Sequence, residues 1–131
     1  MPLGKPGQGD ETILIVEDEP LMLRLLAKFF SRHGYHVLEA ANGEEAIEAY
    51  RNNKLQIDAV LLDIRLPKST GEEVFRMMKA ENAGVKVVMA SGYLEPQAKT
   101  ELTLAGVKHF VTKPYILNDL LEIFESLKKN Q

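Results

Sequence analysis

The sequence predicts one doubly wound α/β domain: a parallel sheet with helices on both faces. Three observations carry this. Short apolar runs alternate with stretches of helical apolar spacing, five of each, between residues 12 and 127. The runs are apolar nearly throughout, as strands buried on both faces are, rather than alternating apolar with polar. At 131 residues and 45% hydrophobic, the chain can build one sizeable core.

The elements follow in order. Thr12-Ile-Leu-Ile-Val16 is a β-branched run and the first strand. Pro20 suits the first turn of a helix whose Met22, Leu25, Leu26, Phe29 and Phe30 share a face, and Gly34 stops it. Residues 35–40 form the second strand. Asn42 caps a helix carrying Ala46, Ile47, Ala49 and Tyr50, which fades at Asn52 and Asn53. The third strand, 57–62, delivers Asp63 at its carboxyl end. A loop with Pro67 and Gly71 leads to a helix bearing Val74, Phe75, Met77 and Met78, closed by Gly84. Residues 85–90 are the fourth strand, 96–105 a weaker helix anchored by Leu102, and 107–112 the fifth strand. The last helix, 118–127, sets Leu120, Leu121, Phe124 and Leu127 on one side.

Composition removes several function classes. The net charge is −3 with scattered basic residues, which argues against a nucleic-acid surface. No apolar run approaches the ~20 residues of a membrane span. The chain has no cysteine, hence no disulfide framework or thiolate metal site, which suits the cytoplasm. Residues 1–10 hold three Gly and two Pro and read as a flexible leader or linker. The domain is expected over 11–128, with 129–131 as a tail.

In doubly wound sheets, ligands bind beyond the carboxyl ends of the strands. Glu17, Asp18 and Glu19 follow the first strand, Asp63 the third, Ser91 the fourth and Lys113-Pro114 the fifth. The second ends in plain Glu39-Ala40-Ala41, as an edge strand away from the crevice would. Singly, each group has an ordinary structural reading. Glu19 before Pro20 is a helix cap, Ser91 a turn residue and Lys113 a solvated ammonium. Asp63 directly follows an apolar strand, where a carboxylate is costly without partners. Jointly, the fold brings the groups to one edge. The carboxylates would repel one another unless a cation sat between them, and hard oxygen ligands favour Mg2+. A carboxylate beside Mg2+ and a lysine is a nucleophile for a phosphoryl group, with Ser91 placed to bond a remaining oxygen.

The residues Val16-Glu-Asp-Glu-Pro20, Asp63-Ile-Arg-Leu-Pro67 with Gly71, Ala90-Ser-Gly92 and Lys113-Pro114 resemble the receiver domain of two-component response regulators. The resemblance runs from Glu11 to about Leu127. It implies a flavodoxin-like sheet of order 2-1-3-4-5, with Asp63 as phosphoacceptor and Glu17, Asp18 and the backbone carbonyl of Arg65 joining Asp63 around Mg2+. It makes Ser91 the switch hydroxyl, Lys113 the site lysine, Phe110 the switch aromatic, and Lys113-Pro114 a cis peptide. The implied partner is a histidine kinase or histidine phosphotransfer domain. The implied output is a changed face of fourth helix, fifth strand and fifth helix, which also serves receivers that pair as homodimers. No enzymatic activity beyond its own phosphorylation and dephosphorylation is implied, and no direct contact with nucleic acid or membrane.

Three features depart from the commonest family pattern: Glu-Asp as the acidic pair, a switch aromatic without a hydroxyl, and bulky Arg65 and Tyr93 beside the site. Residues 9–16 and 91–93 resemble receivers fused behind histidine kinases, so a receiver of a hybrid kinase stands beside a stand-alone regulator. Two rivals are a haloacid-dehalogenase-like phosphatase and a degenerate receiver acting only as a binding module. The first needs a second Asp two residues after the nucleophile, where Arg65 stands. The second would have lost its Asp or Lys, and neither is missing. His33, His36 and His109 lie at element ends, whereas a phosphotransfer histidine sits mid-helix in a bundle.

Overall fold

The computed structural model describes residues 11–129. Its order is β1 (Thr12–Val16), α1 (Pro20–Arg32), β2 (His36–Ala40), α2 (Gly43–Asn53), β3 (Ala59–Asp63), α3 (Gly71–Glu81), β4 (Val87–Ser91), α4 (Pro96–Ala105), β5 (His109–Thr112) and α5 (Leu117–Lys129). The five strands are all parallel, in the order β2-β1-β3-β4-β5. The expected alternation, sheet order and edge position of β2 are therefore present. The leader expected over residues 1–10 lies outside the described residues.

Strand alternation divides the core in two. Leu14, Val16, Val60, Leu62, Val87 and Met89 point to one face, packed under α2, α3 and α4 by Ala46, Tyr50, Val74, Phe75, Met78 and Leu102. Ile13, Ile15, Ala59, Leu61, Val88 and Ala90 point to the other, covered by α1 and α5 through Leu23, Leu26, Phe30, Leu120, Phe124 and Leu127. β3 and β4 are buried at every position, which is why their sequence shows no polar alternation.

Several boundaries differ from the sequence reading. β3, β4 and β5 each begin two residues later than expected. Ile57, Val85 and Val107 are apolar but close turns, their N–H groups donating to Asn53 O, Asn82 O and Leu102 O at 3.0 Å each. α3 is closed by Asn82 rather than Gly84: the Asn82 side chain accepts from Gly84 N–H at 3.0 Å in an Asx turn. Gly71 lies inside the first turn of α3 rather than in the preceding loop. The last helix reaches Lys129, one residue past the expected domain end. Glu19 caps α1 as expected, its carboxylate accepting from Met22 N–H at 2.8 Å.

On the α1 and α5 side, Tyr35 donates its hydroxyl to Glu125 Oε2 at 2.9 Å. Burial, then the Glu125 carboxylate, push the Tyr35 pKa well above the ordinary phenol value. A phenol that stays protonated in the folded chain contributes stability in full below about pH 10, and loses it as pH climbs toward the folded value. Urea midpoints taken at about pH 8 and about pH 10.5 should therefore fall further for wild type than for Tyr35→Phe. Equal falls would show that the phenol does not titrate differently in the two states.

Candidate functional site

The carboxyl ends of the parallel strands form one edge, and local backbone chemistry fixes what stands there. Glu17 extends the pairing of β1, its N–H donating to Ala40 O at 3.0 Å, so its side chain is held at 1% exposure. Asp63 is the last residue of β3, 4% exposed and paired with Ala90. The chain then turns at once. Arg65 N–H donates to Asp63 Oδ1 at 3.0 Å, Lys68 adopts φ +73°, and Thr70 and Glu73 close a capping box at the start of α3. Gly71 makes the turn possible: a Cβ there would lie 2.6 Å from both Asp63 O and Ile64 Cα. Lys113 follows β5, its N–H donating to Ser91 O at 2.9 Å, and joins Pro114 through a cis peptide, as the resemblance implied.

These placements converge. Lys113 Nζ lies 2.7 Å from Asp63 Oδ2, 3.1 Å from Glu17 Oε1 and 3.4 Å from Glu17 Oε2. One carboxylate oxygen from each of buried Glu17, exposed Asp18 and buried Asp63 falls within 4.8 Å of the others. Among the described residues, Lys113 is the one cation in contact with Glu17 or Asp63. Burial by itself lowers the Lys113 pKa, but hydrogen bonds and charge from Asp63 and Glu17 outweigh it, and the net shift is upward. The ammonium therefore persists at neutral pH. Two buried carboxylates share it, so the cluster keeps excess negative charge.

Ser91, 5% exposed, closes β4 beside the cluster, with its hydroxyl donating to Tyr93 O at 2.7 Å. Phe110 lies away from the carboxylates, on β5 opposite Met89, half-buried on the core face under α4. Lys99 of α4 places its Nζ 5.3 Å from the Phe110 ring centroid. The edge also carries a residue the sequence reading did not single out. Tyr115 directs its hydroxyl to Glu17 Oε1 at 3.4 Å and its ring to Lys113 Nζ, 5.7 Å from the centroid. Its position two residues after Lys113, at the same strand end, was the available signal. A cleft of about 290 Å³ lies at the opposite pole of the sheet, lined by Lys79, Lys86, Lys108 and His109. Lys86 there donates to the α5 carbonyl of Leu127 at 3.1 Å, the ordinary place for a cation at a helix end.

Comparison with known proteins agrees with this geometry. The family model of the response regulator receiver domain matches residues 13–125. The chain is 32% identical over 120 residues to sporulation initiation phosphotransferase F of Bacillus subtilis, covering 92% of this chain and 93% of that one. It is 33% identical over 118 residues to a cyclic di-GMP phosphodiesterase of Thermotoga maritima, covering 89% of this chain but 31% of that longer protein. Its fold matches a CheX-CheY-BeF3-Mg2+ complex from Borrelia burgdorferi with a TM-score of 0.83 at 30% identity, over 89% of this chain and 88% of that one. Among the described residues no helix is long and apolar enough to cross a membrane. The acidic edge, the parallel order and the family match together make the chain a member of the response regulator receiver domains, the phosphoacceptor modules of two-component signalling.

Proposed function

We propose that Asp63 accepts a phosphoryl group from a phosphohistidine of a partner protein in a Mg2+-dependent reaction. One observation carries the reading: Asp63 ends β3 almost fully buried, 2.7 Å from the Lys113 ammonium and beside two more carboxylates. The donor set fits Mg2+. It is all hard oxygen, and its buried carboxylates outnumber the one ammonium that faces them. Glu17, Asp18 and Asp63 would hold the ion, with the backbone carbonyl of Arg65. When bound, Mg2+ supplies positive charge against the oxygens of the transferring phosphoryl group.

The protein's own residues do the rest. An Asp63 carboxylate oxygen forms the new O–P bond as the donor's N–P bond breaks and its electron pair returns to the imidazole. Lys113 balances charge on the phosphoryl oxygens while keeping Asp63 in place. The Ser91 hydroxyl exchanges a neutral carbonyl acceptor, Tyr93 O, for a charged phosphoryl oxygen, a stronger partner. Phe110 then turns inward, loosening its contact with Lys99 and so altering the face of α4, β5 and α5. Chemistry is confined to the chain's own phosphorylation and dephosphorylation.

Leu21 and Leu25 lie one turn apart on α1, 75% and 48% exposed, and Ile116 after the Lys113 segment is 66% exposed. These apolar residues flank the acidic edge and suit docking of a histidine kinase or histidine phosphotransfer domain in the cytoplasm. Self-association would use the face of α4, β5 and α5, where Leu104 is 83% exposed. Incubation with Mg2+ and a small acyl phosphate should add one acid-labile phosphoryl group to wild type and none to Asp63→Asn. Chelating the metal should stop the reaction. Equal labelling of the two proteins would refute the assignment.

A further inference from the structure

Glu17 carries one more side-chain torsion than an aspartate, and holding it in a single rotamer costs entropy. Three groups hold it. Glu19 N–H donates to Oε2 at 3.2 Å, Lys113 lies against both oxygens, and the Tyr115 hydroxyl donates to Oε1 at 3.4 Å. They differ in what happens when a second cation approaches the carboxylate. Lys113 is itself a cation and is repelled. Glu19 N–H belongs to the backbone entering α1 and touches only Oε2. Tyr115 is a phenol, a neutral donor at physiological pH. A neutral donor can keep one lone pair of Oε1 while a cation takes the other.

We propose that Tyr115 is a positioning residue for divalent-cation binding. Its hydroxyl fixes the Glu17 carboxylate and offsets the extra freedom that Glu17 has over an aspartate. This rests on the reading that Glu17, Asp18 and Asp63 hold the cation. If Tyr115 only packed, with its ring against the α1 and α5 side of the core, phenylalanine would serve equally well.

The test is a titration of the full chain with Mg2+ alone, followed by amide chemical shifts at the strand ends. Tyr115→Phe should weaken Mg2+ binding about threefold, the loss of one long hydrogen bond from a neutral donor to the carboxylate. In a Glu17→Asp background the same substitution should change nothing, because the shorter carboxylate no longer reaches the hydroxyl. Asp18→Ala separates the two levels of the claim. If Asp18→Ala binds Mg2+ as wild type does, the metal sits elsewhere and the underlying reading fails. If Asp18→Ala abolishes binding while Tyr115→Phe keeps wild-type affinity, the Tyr115 role is overturned. Equal weakening by Tyr115→Phe in the Glu17 and Glu17→Asp backgrounds overturns it too.

Discussion

Replacing Lys113 by alanine should slow phosphoryl transfer to Asp63 by on the order of a hundredfold, the scale seen when a single preorganised charge donor is removed from a transition state. Lys113 touches both buried carboxylates, at 2.7 Å and 3.1 Å. No other described cation contacts them. Without it, Glu17 and Asp63 face each other with no positive charge between them, and burial and repulsion raise a carboxylate pKa. A carboxylate whose folded pKa lies above its unfolded value favours folding at low pH and opposes it above. The Lys113→Ala protein should therefore gain stability, relative to wild type, as pH falls toward about 5. Added Mg2+ should stabilise it by binding only the folded form. Single-turnover labelling and urea titrations with and without Mg2+ read both effects. A wild-type labelling rate in Lys113→Ala would remove the lysine from the chemistry.

Phe30→Ala should be the most damaging single change to the fold. Phe30 is fully buried on the α1 and α5 side and meets three aromatic rings edge-on: Phe29 at 5.4 Å, Tyr35 at 5.5 Å and Phe124 at 5.3 Å. Truncation leaves a cavity among rigid rings that cannot collapse into it, and such changes cost about 3–5 kcal/mol. Against a typical total of about 5–15 kcal/mol, that is a large share. The urea midpoint should drop accordingly, while the fraction still folded remains open to labelling, because the ring lies on the helical layer and not at the acidic edge. A loss under about 1 kcal/mol would mean the aromatic cluster repacks around the gap.

The parallel sheet and the acidic edge were legible in the residues because both rest on long-range constraints that leave a local trace, whereas the strand order was implied by the family resemblance alone. Strands buried on both faces show as unbroken apolar runs, and parallel strands bring their carboxyl-end residues together. Strand onsets were less legible. Ile57, Val85 and Val107 are apolar like the strands that follow, yet their N–H groups close turns with Asn53, Asn82 and Leu102. Hydrophobicity alone cannot separate those two duties. The orientation of Ser91 toward Tyr93 O was equally hidden, since its partner is a backbone carbonyl two residues on. Tyr115 was missed for a related reason. An aromatic residue after Lys-Pro reads as core, and only the reach of the longer Glu17 arm gives its hydroxyl a partner.

Reductive trapping tests the central claim most directly. Borohydride converts an aspartyl phosphate to homoserine and leaves an unmodified carboxylate intact. Phosphorylation with Mg2+ and a small acyl phosphate, then reduction and peptide sequencing, should place homoserine at position 63 and at no other acidic residue. Homoserine at position 18 or 2-amino-5-hydroxyvaleric acid at position 17 instead, or the absence of homoserine from a fully labelled chain, would contradict the assignment of Asp63.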